Sequence, residues 1–167
     1  NALYQGHPTS QEGNIIKREW WQYYTIDETP RFDRVIMSVD CAFKNAEDND
    51  YVAIEVWGKY QSKYYLIDLI KDHLDFPQTV AAIYAMKHDH PEIREVLVED
   101  KANGSAVIQV MRGKINGVIA VEPEGGKEAR VNAVSFVIEA KTCYLPSFKS
   151  FTNDFVEECA GFPNAPH

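Results

Sequence analysis

Residues 34–40, RVIMSVD, are almost continuously apolar until they stop on an aspartate. Such a run predicts a central strand buried on both faces. Residues 51–58, YVAIEVWG, alternate instead, with Val52, Ile54 and Val56 on one side and Glu55 on the other. Residues 63–72 give a third strand, and the short link before it favours an antiparallel hairpin. The period then changes. Residues 75–91 carry Phe76, Val80, Ile83, Tyr84 and Lys87 at helical spacing. Asp75 and Gln78 form a capping-box pair, Pro77 lies in the first turn and Pro91 beyond the end.

Further on, residues 95–100, EVLVED, predict a short buried strand, and 103–113 a turn feeding a helix. Residues 117–123 predict a fifth strand. Residues 125–141 predict a helix with Val131, Val134, Val137 and Ile138 as its inner stripe, closed by CYLP. Residues 147–163 predict a last helix, with Phe148, Phe151, Phe155, Val156 and Cys159 on one side. A hairpin-rich start followed by alternating strands and helices predicts an α/β fold. Its sheet would be mixed and five-stranded, the first three strands antiparallel, with flanking helices. Residues 1–30 differ in kind. They are polar, punctuated by Gly6, Pro8 and Gly13, and end in Trp20, Trp21, Tyr23 and Tyr24. They read as a linker or arm, or as an extension that packs on its own domain.

Composition narrows the class. The chain has 167 residues, the size of one ordinary domain, and 45% are apolar, enough for a core. No apolar run approaches a membrane span, so no membrane partner is expected. Three scattered cysteines, Cys41, Cys143 and Cys159, suit a reducing cytosol better than a disulfide framework or zinc ribbon. The formal net charge of −8 argues against a protein that grips DNA through its overall charge. It leaves room for an enzyme that meets nucleic acid through metal ions and a local basic patch.

The chemistry is sought where buried strands end in carboxylates. Asp40 ends one strand, and the pair Glu99 and Asp100 ends another. If those strands are neighbours, the acids converge. Converging carboxylates repel unless a cation lies between them. Hard oxygen ligands suit Mg²⁺ or Mn²⁺, and two such ions can clamp an in-line phosphoryl displacement. Alternation along a strand lets only one of Glu99 and Asp100 face the metal. Glu99 is favoured because it follows the apolar run directly, and Asp100 is the alternative. Asp40 alone could also be a plain turn or cap residue. Asn103 and Gly104 permit a tight turn, or a helix start near phosphate. Lys127, beside the glycine pair 125–126, reads as a solvated charge or a phosphate contact. His88, Asp89 and His90 fall at a helix end and read as exposed, and His73 has no evident partner.

The stretches SVDCAFKNAEDNDYVAIEVWGK, YYLIDLIKDHLDF, VLVEDKANGSAVIQ, GKEARVNAVSFVIEAKTCYLP and FVEECAGFPNAPH occur in that order. Together they resemble the C-terminal nuclease domain of the terminase large subunit of tailed bacteriophages and prophages. The resemblance covers nearly the whole chain. It implies an RNase H-like (RuvC-like) fold and cutting of concatemeric viral double-stranded DNA by two Mg²⁺ or Mn²⁺ ions. The family's first acid falls on Asp40, its second on Glu99 or Asp100, and its third just after His167, outside the sequence. Lys127 matches the family's GGK position, as an active-site or DNA-backbone cation. Residues 1–30 resemble the segment that joins the packaging ATPase to the nuclease at 31–167. The implied partners are that ATPase in cis, the small terminase subunit and the portal, in the host bacterial cytoplasm. The ATP-binding P-loop motif is not in this sequence. Two other readings stay open: a resolvase- or integrase-type nuclease of the same superfamily, and a non-catalytic docking module using the aromatic arm.

Overall fold

The computed structural model describes residues 14–41, 51–101 and 104–164. In chain order its strands are β1 (Gln22–Tyr24), β2 (Arg34–Cys41), β3 (Val52–Tyr60), β4 (Lys63–Asp72), β5 (Ile93–Glu99), β6 (Val118–Val121) and β7 (Cys143–Pro146). Its helices are α1 (Phe76–Asp89), α2 (Gly104–Arg112), α3 (Lys127–Glu139) and α4 (Thr152–Gly161). The strands hydrogen-bond in the order β1-β7-β4-β3-β2-β5-β6. The predicted mixed α/β class holds, with seven strands in place of five. The acidic loop 42–50, Asn103 and His167, all singled out by sequence, lie outside the described residues.

The chain forms two units, one of residues 30–61 and 65–123 and the other, among described residues, of 14–29, 62–64 and 124–164. In the first unit β2 is central. It runs antiparallel to β3, from Arg34↔Lys59 to Cys41↔Val52, and parallel to β5, with Val39 opposite Val98. β6 adds parallel to β5. One face of these strands makes the core. Val35, Met37, Val39 and Cys41 interlock there with Val52, Ile54 and Val56 of β3 and with Val96 and Val98 of β5. Ile83 and Met86 of α1 and Val107, Ile108 and Met111 of α2 close over them. The predicted cap of α1 is present. The Asp75 carboxylate accepts from the Gln78 N–H at 2.8 Å, and the Gln78 side chain accepts from the Asp75 N–H at 3.0 Å.

β2 departs from the expectation of burial on both faces. Its residues alternate, with Ser38 and Asp40 exposed between buried Met37, Val39 and Cys41. Ile36, half-buried on the second face, makes the sequence read as continuous although that face opens toward its C-terminal end. A strand can thus be central by pairing and one-sided by burial.

In the second unit the two strands missed by sequence pair with each other. β1 lies parallel to β7, from Gln22↔Tyr144 to Tyr24↔Pro146. CYLP therefore forms a strand and does not close a helix. At three and four residues, neither strand is long enough to show a period. The aromatic arm packs here. Trp21 meets Phe155 edge-on at 5.4 Å, and Tyr24 meets Phe148 at 5.6 Å. Arg18 donates to both Glu157 oxygens, at 2.8 and 2.9 Å. α4 starts five residues later than the predicted helix because residues 147–151 form turns. The predicted inner stripe of α3 holds only in part. Ile138 is buried, Val131 and Val137 are half-buried, and Val134 is half exposed at 50%. Apolar residues surround α3 on most sides, Phe136 being 66% exposed, so spacing alone does not select the inner face.

Met37 is fully buried at the centre of the first unit. Met37→Ala is expected to cost about 2–5 kcal/mol in urea unfolding, through lost transfer energy plus a cavity. A loss below about 0.5 kcal/mol would place β2 outside the core.

Candidate active site at the ends of two parallel strands

Val39 and Val98 sit opposite each other on parallel strands. The next residues along, Asp40 and Glu99, therefore stand at the same level on strands about 4.8 Å apart. Both valines point into the core, so both carboxylates emerge on the other face. Asp40 is exposed and Glu99 half-buried. Lys101 Nζ stands 4.0 Å from Glu99 Oε1. Asp100 lies beyond the end of β5 and is held differently. Its Oδ1 accepts from Ser105 Oγ at 2.5 Å, and its N–H donates to the Val121 carbonyl at 2.8 Å. It ties the strand end to α2 and to β6. Of the two sequence alternatives, Glu99 is the one in register with Asp40.

Electrostatics report the same proximity. The Cys41 thiol is pushed up to about 12, chiefly by burial, with the charges of Asp40 and Glu99 adding. The Cys41 side chain lies in the core, on the face opposite the two acids. A third carboxylate, Glu55, was not singled out as a site residue from sequence. It pairs across from Ser38, one alternation from the Asp40↔Ala53 pair, and so shares the face of Asp40. Burial raises its pKa first, and the Asp40 charge adds; the Trp57 indole, donating at 2.7 Å, and Lys71 act in the opposite direction. The signal was present as the alternation of 51–58, with Glu55 on the non-core side.

Among the described residues, no three Asp, Glu, His or Cys side chains converge to hold one ion. Asp40 and Glu99 form a pair. Two adjacent carboxylates at a solvent-open sheet end fit a hard divalent ion that keeps several waters. They do not by themselves complete two such sites.

Gly104 fixes where Glu99 sits. It is the first residue of α2, and a Cβ there would lie 1.9 Å from the Glu99 carbonyl oxygen. The glycine permits close approach of helix and strand, a need that a turn-based reading does not reveal. Lys127 opens α3 in the second unit, with Nζ 5.8 Å from the Phe162 ring centroid. His90 is not exposed as expected; it is largely buried and bonds Asp68 Oδ2 through Nε2 at 2.8 Å. His88 and Asp89 are exposed neighbours. His73 does have a partner, Tyr51, stacked at 3.9 Å. A cavity of about 520 Å³ opens at the other end of β2, lined by Arg31, Asp33, Arg34, Glu92 and Arg94 among others, and includes neither Asp40, Glu99 nor Asp100.

Comparison with known proteins follows the same geometry. The family model described as the terminase RNaseH-like domain matches residues 37–165. No curated protein sequence matches. Among solved structures, the large terminase from a thermophilic bacteriophage superposes with a TM-score of 0.65 at 12% identity, over 90% of this chain and 36% of that one. The large terminase nuclease domain from bacteriophage SPP1, with bound Mn, gives 0.60 at 15% identity, over 87% of this chain and 80% of that one. The large terminase nuclease from thermophilic phage G20c, with bound magnesium, gives 0.63 at 12% identity, over 88% and 79%. At these identities the likeness shows the fold. The chain spans little more than a third of the first of these proteins.

Gly104→Ala is expected to cost about 1–3 kcal/mol in chemical denaturation, because the methyl must displace backbone. Gly113→Ala is the control, since nothing lies within 4 Å of its Cβ position, and it should change stability by no more than about 0.5 kcal/mol. Equal stability of the two variants would refute the close approach at Glu99.

Proposed function

Because the chain belongs to the terminase RNase H-like domain family, we propose that it is the nuclease part of a tailed-phage terminase large subunit. It cuts concatemeric viral double-stranded DNA during packaging, as an endonuclease dependent on Mg²⁺ or Mn²⁺. The observation that supports this reading is the side-by-side placement of Asp40 and Glu99 on the open face of β2 and β5. The Mn and magnesium of the SPP1 and G20c nucleases suit the same choice of ion.

Asp40 and Glu99 would hold a divalent ion here, and a second ion would call on the further acid that the family resemblance implies. Divalent ions in such a site supply a water made nucleophilic near neutral pH and offset charge on the leaving 3′ oxygen. The chain's own residues prepare that site. The β2–β5 ladder sets the spacing of the two acids. Gly104 lets α2 press against the backbone of Glu99. Asp100, bonded to Ser105, anchors the strand end. The Trp57 indole holds Glu55 in place beside the pair. Lys127 is proposed as a cation for the DNA backbone, at the start of α3.

The wider setting belongs to the same proposal. Residues 1–30 would lead from a packaging ATPase in the same polypeptide, with the small terminase subunit and the portal as further partners. The site of action would be the host bacterial cytoplasm. The net charge of −8 then fits a nuclease whose hold on DNA is shared with those other parts.

Mn²⁺ is expected to raise the melting temperature of the wild-type chain and not that of Asp40→Asn. Mn²⁺-dependent nicking of supercoiled plasmid should fall at least about a hundredfold in Asp40→Asn, a loss of about 2.7 kcal/mol of transition-state stabilisation. Asp100→Asn should retain nicking. Equal Mn²⁺ stabilisation in wild type and Asp40→Asn, or undiminished nicking by Asp40→Asn, would overturn the assignment.

A further inference from the structure

Next to the carboxylate pair, the same end of the sheet carries a cluster of opposite chemistry. β3 starts opposite Cys41. β4 neighbours β3 and follows it through the two-residue turn Gln61–Ser62, so it runs antiparallel and ends where β3 begins. Tyr51, Lys71 and His73 therefore stand at the end of the sheet that holds Asp40. Val52 is fully buried, so its chain neighbour Tyr51 emerges on the opposite face, that of Asp40, and Lys71 reaches over the Tyr51 ring. Lys71 and Asp40 both lie near enough to Glu55 to act on its charge, with opposite sign.

The three side chains are arranged in order. The Tyr51 and His73 rings stack with centroids 3.9 Å apart and planes 29° from parallel. Lys71 Nζ lies 5.0 Å from the centroid of the Tyr51 ring. All three residues are exposed, Tyr51 at 45%. Burial cannot be the reason for an exposed aromatic pair with an ammonium held over it. An ammonium combined with aromatic surface suits one kind of ligand, a nucleic-acid strand, whose phosphates take the cation and whose sugars and bases take the rings. The position matters as much as the chemistry. A polyanion approaching Asp40 and Glu99 meets negative charge, and a cation on the same face offsets it.

We propose that Lys71, held over the Tyr51–His73 stack, is a DNA contact that seats the strand beside the phosphate presented to Asp40 and Glu99. This rests on the nuclease reading and adds to it a binding subsite on the β3–β4 hairpin. The contact positions the strand and carries no sequence information, as expected of a backbone contact.

The test is fluorescence anisotropy of a short labelled DNA duplex, titrated with the chain in Ca²⁺ at several salt concentrations. Lys71→Gln should weaken binding several-fold and make the slope of log K against log salt shallower by about 0.9, one phosphate's worth. Lys71→Arg should keep the slope. Tyr51→Ala should weaken binding, and Tyr51→Phe should retain it. Wild-type affinity and slope in both Lys71→Gln and Tyr51→Ala would overturn the inference. Mn²⁺ titration of the wild-type chain separates the two failures. If Mn²⁺ binds through Asp40 and DNA affinity ignores Lys71, only this subsite falls. If Mn²⁺ does not bind, the nuclease reading falls with it.

Discussion

The parallel pairing of β2 with β5 is the constraint from which the rest follows. Val39 opposite Val98 sets the register. A slip of one residue would turn Glu99 into the core and place Asp100 on the open face beside Asp40. Such a slip is opposed from the core side. Met37, Val39, Val96 and Val98 are each at most 2% exposed, and every one would lose its place if the register moved. The apolar face therefore does chemical work at one remove. It holds two charged side chains side by side at a spacing that repulsion alone would not choose.

That repulsion gives the site its character. Asp40 and Glu99 place like charge side by side on adjacent strands, which a bound cation would offset. The same field is felt by Cys41, already raised by burial, and by Glu55, which takes a hydrogen bond from Trp57. A face so rich in negative charge needs positive charge before it can accept a polyanion. Lys71 provides some of it from β4 and Lys101, 4.0 Å from Glu99, from the end of β5. Metal ions would provide the rest. Net charge is a poor guide to such a protein, because binding depends on where a few cations stand.

What could be read from sequence follows physical scale. The long strands and α1 were legible because eight or more residues display a period, and the Asp75–Gln78 cap marked a helix start within one residue. Asp40 and Glu99 are legible as strand-terminal acids, and their convergence only on the condition that their strands are neighbours. It depends on β2 pairing with β5 across more than fifty intervening residues, and no local pattern encodes that choice. β1 and β7 escaped because three or four residues have no period, and their pairing crosses most of the chain. Val134 misled because α3 is apolar on several sides. Gly104 reads as a turn residue or a helix start, and its further constraint, the Glu99 carbonyl, is a contact in space that sequence does not display. Glu55 lay in plain view on the polar side of an alternating strand, and it gains meaning only once Ser38 is seen opposite it.

The most direct measurement of the central claim is X-ray diffraction at the manganese absorption edge from crystals of this chain grown with Mn²⁺. The account requires an anomalous peak on the open face of the sheet with carboxylate oxygens of both Asp40 and Glu99 at about 2.1 Å. Manganese coordinated by Asp100 with Glu99 turned away, or no manganese at this sheet end, would contradict it.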